Sequence, residues 1–209
     1  MYDTVVGFFQ SGGWFMYPIV LVLALGVAII IERTVFLFRA KQENQKFWMS
    51  ASGAIERGLL AELAKMCTRS NAAIAHVMQC GLRRLERQGN EQQIASALDE
   101  GLMDVLPRFE KRTPYLATFA NMATLLGLLG TIIGLIQAFT AVAHADPSQK
   151  ADLLSSSISV AMNTTAFGLM VAIPMLLAHS WLQARTTETV DALETAAVKF
   201  VNHIGSRQA

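Results

Sequence analysis

Three long stretches of the 209-residue chain are dominated by apolar side chains and contain no Lys, Arg, Asp or Glu. They run over Thr4–Ile31, Thr113–Ala145 and Leu153–Ala184. Each is longer than the roughly 20 apolar residues that an α-helix needs to cross the hydrocarbon core of a bilayer. The pattern therefore predicts an all-α membrane protein with three transmembrane helices, at residues 14–38, 114–141 and 153–183.

The segment between the first two predicted spans, residues 39–113, is expected to be a helical cytoplasmic loop. Its apolar residues recur every three or four positions, the period of an amphipathic helix. They are Leu59, Leu60, Leu63, Ala64, Ile74, Val77, Met78, Leu82, Leu85, Ile94, Leu98, Leu102, Val105, Leu106 and Phe109. A turn is predicted at Gly89–Asn90, and Pro107 and Pro114 are expected to kink the last part without ending its helix.

Residues 1–13 are predicted to form a periplasmic or interfacial N-terminal segment, in which a short helix at Tyr2–Gln10 is followed by the flexible Ser11-Gly12-Gly13. No Lys or Arg precedes Arg33, so the chain start lacks the basic region of a cleaved secretory signal. Trp14 and Tyr17 are amphipathic aromatics of the kind that settle at a headgroup boundary. The first span is therefore expected to be a retained anchor.

The distribution of basic residues predicts the orientation. Of the 17 Lys and Arg in the chain, 13 lie between Glu32 and Arg112, whereas the hairpin at residues 142–152 has only Lys150. Basic residues favour the cytoplasm. The N-terminus and the hairpin are thus predicted to be periplasmic, and the long loop and the C-terminal helix, residues 184–209, cytoplasmic.

Small side chains form a stripe along the second span, at Ala123, Gly127, Gly130, Gly134, Ala138 and Ala141. Such stripes let helix backbones approach closely in lipid, where burial of apolar surface cannot drive helices together. We therefore assign Gly127, Gly130 and Gly134, together with Gly168 of the third span, to helix packing.

Polar side chains run beside this stripe and along half of the third span. They are Asn121, Thr124, Thr131, Ser155, Ser156, Ser157, Ser159, Asn163, Thr164 and Thr165. Some can bond to their own helix backbone, and the rest indicate a wet or protein-lined surface. Small hydroxyls can line a path for water and protons, and the candidate path residues are Thr131, Thr165, Asn163 and Thr164.

No acid is available to carry a proton along this path. Proton relays usually use intramembrane Asp, Glu or His, but the three stretches contain no carboxylate, and His144 and His179 lie near span ends, where an interfacial role is expected. If the chain carries protons, the titrating group must come from another polypeptide. The sequence thus favours a subunit over a complete pump.

The remaining chemistry excludes several other classes of protein. Cys67 and Cys80 are too few and too far apart for a disulfide framework or a zinc site. The chain has no glycine-rich phosphate loop, Ser/His/Asp set or paired carboxylates, so we expect neither an enzyme nor a bound cofactor or metal. A net charge of +1 gives no basic surface for nucleic acid.

Two motifs resemble the ExbB/TolQ/MotA proton-channel family, most closely its ExbB/TolQ branch. They are LGLLGTIIGLI at residues 126–136 and NTTAFGLMVAIP at residues 163–174, and Glu32-Arg33 at the end of the first span also looks like that family. The resemblance covers the span order and the long helical inner loop, and so nearly the whole chain.

The resemblance implies an assembly in the bacterial inner membrane. Five copies of this chain would form a ring around two ExbD/TolR-like single-span proteins, and an Asp on the partner's helix would carry the proton. Thr131 and Thr165 match the family's threonines that face this acid. A TonB/TolA-like protein that spans the periplasm would be a further partner.

Two positions depart from the family pattern. Val160 stands where ExbB and TolQ members often carry a glutamate, and Thr124 stands where a proline often precedes the glycine-rich run. The first departure removes any carboxylate of the chain's own from the path. Together they leave open which envelope process is energised, whether TonB-type uptake, the Tol-Pal system, gliding or another.

The leading hypothesis is therefore a proton-channel subunit that converts proton motive force into mechanical work in the envelope. A non-conducting membrane scaffold, whose polar third span merely binds other helices, would explain the same hydroxyls and the same lack of carboxylates. A fragment of a solute transporter is a third hypothesis, although three spans lack the internal repeats of such folds.

Overall fold

A computed structural model describes residues 13–208, with side chains to residue 204, and the helix predicted for the first 13 residues lies almost wholly outside this range. The described chain folds into helices without strands. In chain order they are α1 (Met16–Arg57), α2 (Leu60–Arg69), α3 (Ala73–Glu86), α4 (Glu91–Glu110), α5 (Thr113–His144) and α6 (Lys150–Gln208).

Three segments are long and apolar enough to cross a membrane. They lie within Met16–Arg57, Glu91–His144 and Lys150–Ile204. At 1.5 Å per residue, the 42 residues of α1 extend about 63 Å, roughly twice the hydrocarbon thickness of a bilayer. The fold is that of a helical membrane protein whose apolar helices continue into polar sequence.

The chain divides into two compact units. The first, here called the apolar unit, runs to Ile31 and then from Arg112 to Trp181; the second, the polar unit, comprises Glu32–Lys111 and the chain from Leu182 onward. The core of the apolar unit joins α1, α5 and α6. It contains Ile19, Val22, Ala120, Ala123, Val171, Ala172 and Met175.

The outer surface of the apolar unit is hydrophobic. Leu125 is 63% exposed, Phe139 63% and Leu177 68% within the single chain. Large apolar side chains with this exposure are costly in water, whereas lipid tails or neighbouring helices can cover them.

The polar unit has a core of the usual soluble kind. The predicted apolar period is buried at Leu63, Ile74, Val77, Met78, Leu82, Ile94, Leu98, Val105 and Phe109. The predicted turn at Gly89–Asn90 is confirmed: α3 ends at Glu86, and the Asn90 side chain accepts a hydrogen bond from the Gln93 main-chain N–H at 2.9 Å to start α4.

Leu59 and Leu60 are not buried, against expectation, and the end of α1 explains why. Gly58 adopts a left-handed conformation with φ of 74°. The main-chain N–H of Gly58 donates to the Ile55 carbonyl, and the N–H of Leu59 donates to the Ala54 carbonyl. These two hydrogen bonds form a Schellman motif. The two leucines therefore lie at a helix break and are 44% and 36% exposed.

The expectation for Pro114 was also wrong, because the helix ends instead of kinking. α4 stops at Glu110, Arg112 takes a left-handed conformation with φ of 68°, and α5 begins at Thr113. Proline has no N–H and its ring clashes with the carbonyl four residues earlier, so it is accommodated in the first turn of a new helix. Pro107, in contrast, lies inside α4 as predicted.

Candidate functional site

The glycines assigned to helix packing lie where α5 and α6 cross in the apolar unit. A Cβ atom added to Gly168 would lie 2.6 Å from the Ala123 carbonyl oxygen and 3.1 Å from the Gly127 Cα. A Cβ atom on Gly127 would lie 3.2 Å from the Thr165 Cα. Main chain therefore meets main chain at this crossing, and there is no space for a larger side chain.

Gly130 and Gly134 continue this contact along α5. A Cβ atom on Gly130 would lie 2.5 Å from the Thr164 Cγ2, and one on Gly134 would lie 3.0 Å from the Ala161 Cβ. The structure thus places Gly127, Gly130 and Gly134 against α6, and Gly168 against α5.

Thr165 makes a hydrogen bond across this crossing. Its hydroxyl donates to the Gly127 main-chain carbonyl at 2.8 Å, although 38 residues separate the two in sequence. The side chain remains half-buried in the single chain. Thr165 therefore both joins the two helices and keeps part of its surface open.

The other candidate path residues differ in their exposure. Thr131 is half-buried and donates to the Leu128 carbonyl in its own helix at 2.6 Å. Thr164 is only 2% exposed, and its hydroxyl donates to the Val160 carbonyl at 3.0 Å. Asn163 is half-buried. The partly open polar side chains are thus those of Thr131, Asn163 and Thr165, whereas the chain itself covers Thr164.

His144 and His179, the two histidines near the ends of the predicted spans, lie far from the candidate path residues along α5 and α6. His144 ends α5, where its Nδ1 lies 3.0 Å from the Thr140 carbonyl oxygen. His179 follows Thr165 by 14 residues, or about 21 Å of helix. No group of three His, Cys, Asp or Glu side chains within residues 13–208 is arranged to hold a metal ion.

The sequence profile of the MotA/TolQ/ExbB proton channel family matches residues 69–195, more than half of the chain. The chain belongs to this family. The matched region includes α5 and the part of α6 that carries Thr165, so it contains the crossing described above. A subunit of this family serves energy transduction, in agreement with the resemblance of the two motifs.

Individual relatives place the chain in the ExbB/TolQ branch. It is 26% identical to a biopolymer transport protein ExbB homolog of Methanothermobacter thermautotrophicus, over 92% of this chain and 68% of that protein. It is 28% identical to the biopolymer transport protein exbB1 of Vibrio cholerae, over 92% and 85%. The Tol-Pal system protein TolQ of Haemophilus influenzae is 34% identical over 44% of this chain and 39% of its own length.

The polar unit of this family member contains a buried charge, Arg33, whose burial the Glu32-Arg33 motif did not predict. Arg33 is 2% exposed, and its guanidinium donates to the main-chain carbonyls of Arg108, at 3.2 Å, and Phe109. It also lies over the Phe36 ring, 4.6 Å from the centroid. The sequence pattern that could have indicated this burial is an arginine at the edge of an apolar run, followed three positions later by an aromatic residue.

Charged side chains also join α1 to α6 in the polar unit. Lys41 donates to Glu188 at 2.6 Å, and Arg185 donates to the other oxygen of the same carboxylate at 2.8 Å. These hydrogen bonds lower the pKa of Glu188 below its ordinary value, and the bond from Lys41 has the largest effect. A cavity of about 330 Å³ adjoins the pair and is also lined by Asn44, Trp48 and Lys199.

Proposed function

We propose that this chain is the channel-forming subunit of an inner-membrane motor that couples proton motive force to mechanical work in the envelope. Family membership supports the channel and the energy coupling. One observation supports a proton path that is shared with a partner chain. Partly exposed threonines line a stretch of α5 and α6 that contains no Lys, Arg, Asp or Glu. Such a surface can conduct a proton only if another chain brings the acid.

The acid would belong to an ExbD/TolR-like partner with one membrane span and an Asp within it. In this proposal, five copies of the chain form a ring around that partner, with the N-terminus in the periplasm and the C-terminus in the cytoplasm. Thr131 and Thr165 line the proton path, with Asn163 and Thr164 beside them. A TonB/TolA-like protein that spans the periplasm would receive the work.

The energy available is adequate for a mechanical step. One elementary charge that crosses the membrane field yields about 2.3 kcal/mol per 100 mV. Neutralisation of the partner's acid would allow it to pass the apolar wall of the ring, because a charged side chain in hydrocarbon is far costlier than a neutral one. Several protons could thus drive one conformational change.

The test is proton flux through liposomes that contain the chain and its co-purified single-span partner. We expect Thr131→Val and Thr165→Val to lower the flux, because each removes a hydroxyl and keeps the side-chain shape. Thr165→Ser should retain flux. Thr140→Val is the matched control, since the Thr140 hydroxyl donates to the Ile136 carbonyl in its own helix near the end of α5. Unchanged flux in both valine variants would remove the proposed path.

A second candidate is a non-conducting scaffold. The hydrogen bond from Thr165 to Gly127 favours it, because that hydroxyl already has a packing role within the chain. Purification separates the two functions. A scaffold would yield complexes without a partner acid in the membrane, and its liposomes would remain proton-tight when a membrane potential is applied.

A further inference from the structure

The Thr165 hydrogen bond is unusual for a helical threonine. Threonines in helices commonly bond to a carbonyl three or four residues earlier in the same helix, as Thr164 and Thr140 do here. The hydroxyl of Thr165 instead leaves α6 and donates to Gly127 of α5. It does so where the two backbones touch, beside Gly168.

The direction of this bond limits what Thr165 can offer to a ligand. A carbonyl oxygen only accepts, so the single hydroxyl proton of Thr165 is committed to Gly127 and only oxygen lone pairs remain. The proton of Thr131 is committed in the same way to Leu128. Both threonines can therefore accept from water, hydronium or a neutral carboxylic acid. Neither can donate to a carboxylate without breaking its present bond.

We propose that Thr165 is a switch that links the protonation of a guest carboxyl group to the crossing of α5 and α6. A neutral guest acid donates to Thr165 while the bond to Gly127 remains intact. When the guest ionises, its proton passes to water, and Thr165 turns its own hydroxyl toward the new carboxylate. The bond to Gly127 is then broken and α5 is released from α6. This inference rests on the proposed function, which supplies the guest acid.

The exchange of partners is favourable in this direction. Hydrogen bonds to an ionised acceptor are roughly twice as strong as those between neutral groups. Gly127 lies well inside α5, so its carbonyl keeps the main-chain bond from the residue four positions on. Loss of the Thr165 bond therefore leaves no unpaired carbonyl at Gly127 and removes the hydrogen bond that joins residues 127 and 165.

Among the described residues, the charged and histidine side chains of the helices that pack at this crossing lie far from Thr165 along their helices, and Asp152 of α6 is 13 residues away, or about 20 Å. From Met16 to Ile31, α1 has no Lys, Arg, Asp, Glu or His. His144 lies 17 residues beyond Gly127, about 26 Å along α5, and His179 lies about 21 Å along α6. A pH response at the crossing would therefore come from the guest acid.

The test measures the distance between α5 and α6 as a function of pH in the reconstituted assembly. Spin labels are placed through Leu125→Cys and Met170→Cys, both exposed in the single chain, after Cys67 and Cys80 are replaced by alanine. Labelled subunits are diluted with unlabelled ones so that only distances within one chain contribute. Proton flux is recorded on the same liposomes.

We expect the label distance to rise by about 1–2 Å as the guest acid ionises, the usual size of a helix shift. Thr165→Ser should keep this response, Thr165→Val should abolish it, and Thr140→Val should behave as the native chain. Replacing the partner's membrane Asp with Asn should hold the short distance at every pH.

Flux with no pH-dependent distance change overturns the switch and leaves the proposed function standing. The same holds if the change persists in Thr165→Val. Failure of flux in the native assembly, or failure to recover any acid-bearing partner, overturns the proposed function and the switch together.

Discussion

The guanidinium of Arg33 donates a hydrogen bond to the main-chain carbonyl of Phe109 in the last turn of α4. It also donates to the main-chain carbonyl of Arg108. The hydroxyl of Thr186 lies 3.4 Å from the same Phe109 carbonyl. A cation at the C-terminal end of a helix is favoured by the carbonyls that have no partner within it. Three segments of the polar unit, from α1, α4 and α6, therefore meet at one carbonyl.

We expect Arg33→Met to destabilise the protein by roughly 1–3 kcal/mol, because the variant removes donors from buried carbonyls. Arg33→Lys should recover only part of this loss, since an ammonium cannot reproduce both the forked donors and the contact with the Phe36 ring. The free energy of unfolding in detergent micelles measures both. Arg39→Met is the control on the same helix, where the side chain is exposed. Equal effects at positions 33 and 39 would contradict a specific role.

The crossing of α5 and α6 predicts a steep cost for a single methyl group. Gly168→Ala would place a Cβ atom 2.6 Å from a main-chain oxygen, so the helices must separate. We expect a loss of roughly 1–3 kcal/mol, the usual range for overpacking. Gly53→Ala is the matched control, because no atom beyond the neighbouring residues and the backbone of its own helix turn lies within 4 Å of its added Cβ. Replacing glycine in a helix should there stabilise by about 0.5–1 kcal/mol.

The sequence was sufficient to predict structure where a single local property, such as charge or hydrophobicity, decides whether a residue lies in a helix, in a turn or in the core. The charge-free apolar stretches, each long enough to cross a bilayer, predicted the apolar helices, and Gly89–Asn90 predicted the turn before α4. The recurrence of apolar residues every three or four positions at Ile74, Val77 and Met78 predicted a buried helix face. In each case the local pattern and the packing demand the same residue type.

The rest depended on partners that the linear pattern does not identify. Thr165 could have bonded within α6 as its neighbour does, and only the closeness of Gly127 makes the interhelical bond available. The guanidinium of Arg33 is buried because a helix end 75 residues later presents carbonyls to it. Leu59 fits the apolar period but follows a glycine that ends α1. Long-range geometry decided the first two cases, and the local backbone turn at Gly58 decided the third.

The ion pair between Lys41 and Glu188 predicts a small acid-dependent loss of stability. The folded pKa of Glu188 is depressed below its ordinary 4.5. The contribution is therefore complete above pH 4.5 and is lost as the pH falls through the lower folded value. Glu188→Gln should flatten the stability profile in this acidic window and change little at neutral pH, because the pair is exposed. Glu194→Gln is the control, and an identical flattening there would count against the pair.

The two cysteines should differ in reactivity. Burial raises the pKa of Cys67 to about 11 from 9.0, and its side chain is 3% exposed. At pH 8 its thiolate fraction is thus about 100-fold below that of an ordinary thiol, and its thiol is also shielded from the reagent. Burial raises the pKa of Cys80 as well, but that residue is half-exposed.

A maleimide added to the native protein at pH 8 should therefore modify Cys80 well before Cys67, with mass spectrometry of the peptides as the measurement. Cys80→Ala should leave a chain that labels slowly until it is unfolded in denaturant, and Cys67→Ala should label at the native rate. Rapid labelling of Cys67 in the folded protein would mean that α2, which carries it, detaches from its neighbours on the timescale of the reaction.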